Sequence, residues 1–154
     1  MTGPTRIVVD TNVIVAALLH PDRTPARALD AILEGRGQVL VDARVEAEYR
    51  DVLARRKFRA IAIDKREELL ARVLSGAERV DSAAYVGGLI DEDDRSFVEV
   101  CLSGHAAVLL TGNGRHFPRD LGFAVLAPAE LLAMFGVAFT APLPVPFTPP
   151  FTDP

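Results

Sequence analysis

The chain has 154 residues, of which 49% are hydrophobic and 25% are charged, and its formal net charge is -4. This size and this ordinary globular composition predict one compact domain around a single buried core. The negative charge argues against a protein that coats nucleic acid, although bound metal ions or a local basic patch can still bring a phosphate backbone to an acidic site.

Cysteine usage and hydropathy point to the cytoplasm. Cys101 is the only cysteine, so no internal disulfide is expected, and no cysteine or histidine pairs have the spacing of zinc ligands. The apolar run 7–19 is interrupted by Asp10 and Asn12, is too short to span a bilayer and has no basic leader. We therefore expect a cytoplasmic protein that neither enters a membrane nor is secreted.

The predicted elements alternate between short apolar strands and helices. In chain order they are a strand at 6–9, a helix at 13–19, a helix at 25–35, a strand at 39–41, a helix at 43–57, a helix at 64–76, a short strand around Val80, a helix that follows Asp94 and ends at Gly104, strands at 107–110 and 123–126, and a helix from Pro128. Thr24 followed by Pro25 is typical of a helix start, and Asp64 followed by Glu67 resembles a capping box. Fully apolar strands that alternate with helices predict a mostly parallel sheet covered on both faces, which is a three-layer α/β/α sandwich of the doubly wound kind.

Residues 1–139 are predicted to form this domain, and residues 140–154 a proline-rich C-terminal tail. The prolines of the tail favour an extended chain over a helix. Two interpretations stay open: a loose end, or a segment whose Phe147 and Phe151 dock on the domain or on a second subunit.

Polar residues follow two of the most apolar strands, and ligands bind at that edge in open parallel sheets. Asp10 follows the first strand, and Thr111–Asn113 follow the strand at 107–110. Asp94 begins the helix before this second strand, so its carboxylate is expected near the same edge. These strand ends and this helix start therefore converge on one candidate site.

Glu48 adds a further carboxylate to the candidate site. It lies three residues after Val45 and four before Val52, on the apolar stripe of its helix, where an unpaired carboxylate is costly. A divalent cation shared with Asp10 and Asp94 would compensate it, and an all-oxygen ligand set favours Mg²⁺ or Mn²⁺ over zinc. Such a site favours phosphodiester hydrolysis, because the metal activates a water and no serine, cysteine or histidine nucleophile is required.

Four separated motifs occur in a definite order along the chain. They are Val8–Val13 with the sequence VVDTNV, Glu48–Tyr49 with Val52–Leu53 and Arg55, Asp91 with Asp94 and Phe97, and Leu110–Asn113 followed by His116–Pro118. Together they resemble the motifs of the PIN-domain family, especially its VapC-like toxin components of toxin–antitoxin pairs. The resemblance covers residues 5 to about 135, and the joint occurrence of the motifs is far more specific than any one of them.

The resemblance implies an endoribonuclease in which Asp10, Glu48 and Asp94 hold Mg²⁺ or Mn²⁺ and activate water. The fourth acidic position of the family falls on Asn113, whose amide can orient water or a ligand but cannot carry charge or act as a base. With Asn113 in place of a fourth carboxylate, the site has one negative charge fewer with which to hold a second metal ion. By the same resemblance the substrate is RNA, the partner is a small antitoxin that blocks the acidic cleft, and the protein is a homodimer.

Simpler roles stay open for several of these residues. Asp10 is also a favoured helix N-cap, and Asp91 and Asp93 are typical of solvated acids at a helix start, with Asp91 kept as a reserve metal ligand. His116 is expected to pack or to form a hydrogen bond in its loop, and no histidine is assigned to catalysis.

Other residues are predicted to support the site or to bind its substrate. Thr11, Asn12 and Thr111 are predicted supporting residues, the first two holding Asp10 or touching substrate. A basic cluster could contact RNA phosphates or an acidic partner, or could be a solvated helix end, and its members are Arg50, Arg55, Arg56 and Lys57.

Two other functions stay open. A haloacid-dehalogenase-like phosphatase also uses a strand-end aspartate and a strand-end threonine, as at Asp10 and Thr111. However, position 12 is Asn where that chemistry needs a second acid, and the acids 93–94 precede the threonine when they should follow it. The other alternative is a catalytically weakened PIN-domain binding protein, which Asn113 favours.

Overall fold

The computed structural model describes residues 3–137, so the predicted tail at 140–154 lies outside the described residues. Within them one sheet contains β1 (Thr5–Val9), β2 (Gly37–Val41), β3 (Glu78–Arg79), β4 (Val108–Leu110) and β5 (Ala124–Leu126). The helices are α1 (Thr11–Leu19), α2 (Thr24–Ala31), α3 (Ala43–Leu53), α4 (Ile63–Ser75), α5 (Arg95–Ser103) and α6 (Pro128–Phe135). A π-helical turn (Ile32–Arg36) extends α2, and 3₁₀ turns lie at Arg56–Phe58, Glu92–Asp94 and Gly114–His116.

The sheet is parallel throughout the described part of the chain, with the strand order β3-β2-β1-β4-β5. Ile7, Val8 and Val9 of β1 are all fully buried. Because successive side chains of a strand point to opposite faces, the centre of the sheet is covered on both sides. The predicted three-layer α/β/α sandwich is confirmed.

Strands are added to the sheet on both sides of β1. The chain runs from β1 outward through β2 to β3 and then returns to the other side of β1, so a topological switch point lies between β1 and β4. The two strands pair there in register, with Val9 beside Leu110. Asp10 and Thr111 follow these two residues, so the fold brings the two predicted polar strand ends side by side.

The helices that flank the switch point are fixed by buried aromatic side chains. Helix α5 packs against β1, β2 and β4, and α3 packs against α5 and β2. Tyr49 of α3 and Phe97 of α5 are among the largest fully buried side chains. Burial of a side chain such as Phe97 stabilises the fold by about 1.5–3 kcal/mol. The elements that present Glu48 and Asp94 are therefore held against the sheet.

The predicted end of one helix is wrong. Helix α3 ends at Leu53, before the predicted end at Lys57, because Arg55 has an extended backbone and the next three residues form a separate 3₁₀ turn. Arg66 of α4 donates a hydrogen bond to the carbonyl oxygen of Leu53 at 2.9 Å. A contact from a distant segment therefore satisfies this helix end, and the local sequence does not show it.

Three predicted helix starts also differ from the structure, and α1 begins at Thr11, two residues before its predicted start. Helix α2 begins at Thr24, the predicted N-cap, and Arg23 precedes it without a side-chain cap. Helix α4 begins at Ile63, and its N-cap residue makes no side-chain cap hydrogen bond. Packing of an apolar face stabilises such helices more than capping does. The short strand predicted around Val80 is β3, which ends just before that residue.

The helices are short compared with a bilayer. The longest α-helix of the described residues is α4, with 13 residues, whereas a membrane-spanning helix needs about 20. No helix within residues 3–137 is both long enough and apolar enough to cross a membrane.

Candidate metal and catalytic site

A cleft of about 360 Å³ opens at the carboxyl-terminal edge of the sheet, beside the ends of β1 and β4. It brings together the predicted metal ligands and the predicted catalytic amide, which are Asp10, Glu48, Asp91, Asp94 and Asn113. Thr11 and Asn12, two of the predicted supporting residues, line the same cleft. The third, Thr111, is buried beside it.

Asp10 lies directly after β1 with 7% of its surface exposed. Its Oδ2 atom accepts hydrogen bonds from the Thr111 hydroxyl at 2.8 Å and from the Asn12 side-chain amide at 3.3 Å. Its Oδ1 atom takes part in neither bond, and the side chain does not cap α1. Burial raises the pKa of Asp10, the Thr111 hydroxyl opposes that rise, and the charge of Glu48 adds to it. The side chains of Thr111 and Asn12 thus orient the Asp10 carboxylate through its Oδ2 atom.

The turns that follow β1 and β4 are tied to each other. The Asn12 Oδ1 atom accepts a hydrogen bond from the Gly112 backbone amide at 3.1 Å. The Asn113 backbone amide donates to the Thr111 hydroxyl oxygen at 2.9 Å, while that hydroxyl donates to Asp10. The network links both strand ends and fixes the direction of the Asp10 carboxylate.

Glu48 of α3 is half-buried, and the Thr11 hydroxyl donates a hydrogen bond to its Oε2 atom at 2.7 Å. The next residue, Tyr49, is fully buried and its hydroxyl donates to the backbone oxygen of Val9. Burial raises the pKa of Tyr49 well above its usual value, and the negative charges of Asp10 and Glu48 add to the effect. The phenol therefore stays a hydrogen-bond donor, and it joins α3 to the end of β1.

Asp94 immediately precedes α5 and is half-buried. Burial raises its pKa to about 7, and the negative charges of the other cleft acids, Asp10 first among them, add to the rise. Within residues 3–137 its buried Oδ2 atom has no hydrogen-bond partner. An unsatisfied buried polar atom costs about 1–3 kcal/mol. This position therefore favours a ligand that supplies positive charge.

His116 is a cleft residue to which the sequence analysis gave only a packing or hydrogen-bonding role. It ends the 3₁₀ turn Gly114–His116 and lines the cleft. One potential ligand atom from each of Asp91, Asp94 and His116 lies within 4.8 Å of the other two. The signal in the sequence was its spacing, since a residue three positions after Asn113 returns to the same side of a 3₁₀ turn.

The predicted basic cluster is divided in the structure. Arg50 and Arg55 each form an ion pair with an acid four residues earlier. Lys57 lines the cleft, and Arg56 is exposed next to it. Lys57 is therefore the member best placed to meet a ligand of the cleft.

The residues of the cleft fit a hard divalent cation. Carboxylate oxygens are the ligands that Mg²⁺ and Mn²⁺ prefer in proteins. None of the ion pairs found in the described part of the chain involves Asp10, Glu48 or Asp94. Together with the unpartnered Oδ2 atom of Asp94, this leaves clustered negative charge that a bound cation would balance.

The fold and the cleft define a class of protein: a parallel α/β domain with an acidic cleft at its topological switch point. A family model described as PIN domain matches residues 6–115. The chain belongs to the PIN-domain family. PIN domains are generally nucleases and typically use divalent metal ions, so the family is one of hydrolases that act on nucleic acid.

Two solved structures share this fold. One is VapBC2 from Rickettsia felis, crystallised with a DNA fragment from its promoter. The match has a TM-score of 0.57 and 17% identity, and it covers 80% of this chain and 98% of that chain. The other is PAE2754 from Pyrobaculum aerophilum, with a TM-score of 0.52 and 18% identity, covering 90% of this chain and 95% of its own. The comparison with curated proteins gives no match. These findings do not favour the phosphatase alternative.

Proposed function

We propose that this protein is an endoribonuclease that requires Mg²⁺ or Mn²⁺ and that it is the toxin of a toxin–antitoxin pair. The observation that carries the proposal is the meeting of Asp10, Glu48 and Asp94 in one cleft, where the described residues pair none of them with a base. Membership of the PIN-domain family supports nuclease chemistry at that cleft.

The three carboxylates would hold the cation, which when bound neutralises the scissile phosphate and lowers the pKa of the attacking water. Thr111 and Asn12 fix Asp10, and Thr11 fixes Glu48, so these two ligands are oriented by the protein itself. Such support from neighbouring side chains reduces the cost of organising a metal site. Asn113 would orient water or substrate through its amide.

RNA is the proposed substrate, and Lys57 is the proposed phosphate contact. A lysine at the margin of an acidic cleft attracts a polyanion to the place where the cation neutralises the phosphate to be cleaved. Arg56, exposed in the same turn, would extend this contact along the RNA backbone.

We further propose a small antitoxin partner and a homodimer, in the cytoplasm. The sequence resemblance to VapC-like toxins supports the partner, and the shared fold with the VapBC2 structure agrees with it. An antitoxin segment that enters the cleft would have to place a cation or a hydrogen-bond donor against Asp94, because within residues 3–137 its buried Oδ2 atom has no hydrogen-bond partner.

The proposal is tested by incubating the full chain with a structured RNA pool in Mg²⁺, in Mn²⁺ and in chelator, beside the variant Asp10→Asn. We expect metal-dependent cleavage by the wild type and a rate at least about 100-fold lower in the variant. Loss of a residue that only orients a metal ligand costs about 10–100-fold, and loss of the ligand itself should cost more. Circular dichroism checks that the variant folds.

Two controls sharpen this experiment. Asp120→Asn removes an exposed acid outside the lining of the cleft and should leave cleavage unchanged. A DNA pool of the same sequences separates ribonuclease from general nuclease activity. If Asp10→Asn cleaves RNA at the wild-type rate, the proposed site is wrong.

A PIN-domain binding protein without catalysis is the second candidate function, and Asn113 in the cleft is the observation that favours it. An amide in place of a carboxylate leaves the cation with one ligand charge fewer. Metal binding measured by calorimetry, without cleavage of any RNA in the pool, would support this alternative over the enzyme.

A further inference from the structure

We propose that Asp91, Asp94 and His116 form a second metal subsite in the cleft, and that this subsite takes a first-row transition ion such as Mn²⁺ in preference to Mg²⁺. We call these three residues the His116 subsite. It shares Asp94 with the carboxylate site of Asp10 and Glu48, and it differs from that site by its nitrogen ligand. The inference concerns metal binding alone and does not require that RNA is the substrate.

The spacing of the three side chains suits a bound ion. Their candidate ligand atoms lie within 4.8 Å of one another. Ligands on opposite sides of an ion are about 4.2 Å apart when each bond is about 2.1 Å long. A movement on the order of half an ångström therefore suffices to close the side chains around a cation.

The contacts inside the cluster leave room for that ion. No hydrogen bond or ion pair joins the His116 ring to Asp91 or Asp94 in the described part of the chain, although the atoms are close. Asp91 uses its Oδ1 atom to accept from the Asp93 amide at 3.0 Å. Among the described residues the buried Oδ2 atom of Asp94 has no hydrogen-bond partner. A cation between the three would satisfy the atoms that the protein leaves unsatisfied.

The imidazole decides which ion is preferred. Mg²⁺ selects oxygen ligands, whereas imidazole nitrogen binds transition ions, whose affinities increase from Mn²⁺ toward Cu²⁺. His116 also stands three residues after Asn113, within the turn that Asn113 precedes. A ligand therefore enters the cleft from the very segment in which the family's fourth acid is replaced by an amide.

The test is a metal titration of the metal-free full chain, with Mn²⁺ followed by electron paramagnetic resonance and Mg²⁺ by calorimetry. We expect His116→Ala to weaken the binding of one Mn²⁺ by at least about tenfold, as loss of metal-site residues does. The affinity for Mg²⁺ should change by less than about twofold, because Mg²⁺ does not depend on nitrogen ligands. Pulsed resonance should detect imidazole nitrogen coupled to Mn²⁺ in the wild type and not in the variant.

Matched variants separate ligation from charge. Asp91→Asn and Asp93→Asn remove the same charge from neighbouring positions that both line the cleft, but only Asp91 belongs to the subsite. We expect Asp91→Asn to weaken Mn²⁺ binding more than Asp93→Asn does. His20→Ala removes an exposed histidine outside the lining of the cleft and should change nothing.

Three results would overturn the inference. They are an unchanged Mn²⁺ affinity in a folded His116→Ala variant, the absence of nitrogen coupling in the wild type, and tighter Mn²⁺ binding in the variant. The last would mean that the ring repels the cation as a competing positive charge. Because no RNA is used, failure here leaves the ribonuclease proposal standing, and failure of RNA cleavage leaves this inference standing.

Discussion

Two acidic groups stand at the same edge of the sheet, and they differ in their partners. Asp10 follows β1 and Asp42 follows β2, and each has 7% of its surface exposed. Asp42 pairs with Arg44 at 2.7 Å, and Arg44 also pairs with the buried Glu99 at 2.6 Å. We call Asp42, Arg44 and Glu99 the Arg44 network. In the cleft, the described residues place no arginine or lysine in an ion pair with Asp10.

The pKa values of the two aspartates move in opposite directions. Burial acts to raise both, and the pKa of Asp10 is raised. For Asp42 the backbone amide of Val45 and the Arg44 guanidinium outweigh burial, so its pKa is lowered. The Asp42 side chain also caps α3 by accepting from that amide at 2.9 Å, whereas Asp10 occupies the N-cap position of α1 without a side-chain capping hydrogen bond. Burial of a strand-end acid therefore does not single out the proposed site; among the described residues, the lack of a basic ion-pair partner distinguishes Asp10 from Asp42.

The largest expected effect follows from removing the unpaired charge of Asp94. In Asp94→Asn we expect RNA cleavage to fall by at least about 100-fold, because a proposed metal ligand is lost. The metal-free variant should nevertheless be more stable than the wild type by about 1 kcal/mol at pH 8, since it relieves repulsion that solvent partly screens. Thermal unfolding with and without Mn²⁺ measures both parts of the effect on stability.

The metal dependence of that unfolding is the check on Asp94. Mn²⁺ should raise the unfolding temperature of the wild type and raise that of Asp94→Asn much less, because ligand binding to the native state stabilises it. A metal-free variant that is less stable than the wild type would contradict the view of Asp94 as an unpaired charge.

The Arg44 network should respond in the opposite way. We expect Arg44→Ala to lower the free energy of unfolding by about 2 kcal/mol, less than for a fully buried pair because the Arg44 side chain is 52% exposed. Asp42 and Glu99 would then be buried without their cation. Arg72→Ala, which breaks an exposed ion pair, is the control and should cost about 0.5 kcal/mol or less.

The stability that the Arg44 network contributes should depend on pH. The pKa values of Asp42 and Glu99 are lowered in the folded protein, so their contribution is present at neutral pH and is lost as the pH falls below about 4 and through the lowered values. Arg44→Ala should lose less stability over that range. Urea unfolding at several pH values measures the loss of stability in each protein. An equal loss in the wild type and in Arg44→Ala would mean that Arg44 does not hold these carboxylates.

The comparison also shows what the sequence could predict. A strand end selected Asp10, an apolar stripe selected Glu48 and a helix start selected Asp94, because alternating strands and helices define the sheet edge on which they are expected to meet. Asp10 and Asp42 look alike in sequence, each after an apolar strand and before a helix. Only the folded chain brings Glu99 to Arg44, so the sequence could not separate a paired acid from an unpaired one.

Smaller features depended on the same kind of distant contact. The end of α3 is satisfied by Arg66 of α4, and His116 meets Asp91 and Asp94, which belong to a segment much earlier in the chain. Local propensity predicts neither, because each is decided by packing between segments far apart in the chain.

An added carboxylate should increase the unpaired negative charge of the cleft, and with it the contrast with the Arg44 network. We expect Asn113→Asp to tighten binding of Mg²⁺ or Mn²⁺ by about tenfold, since one more carboxylate attracts the cation at short range. Calorimetric titration measures the change. Asn113→Ala removes the amide without adding charge and should not tighten binding; if both variants bind alike, position 113 lies beyond reach of the metal.

The smallest effect is expected where the cleft meets the basic residues. Lys57 lines the cleft without an ion pair among the described residues, whereas Arg55 is paired with Asp51 at 3.3 Å. Lys57→Ala should therefore weaken RNA binding severalfold and reduce the salt dependence of the affinity by about one counterion. Arg55→Ala, which removes a charge already neutralised, should change the slope less. Filter binding across a range of KCl concentrations gives the slope of RNA affinity against salt for each variant. Equal slopes would mean that RNA contacts the whole basic turn and that Lys57 has no special part in holding the substrate.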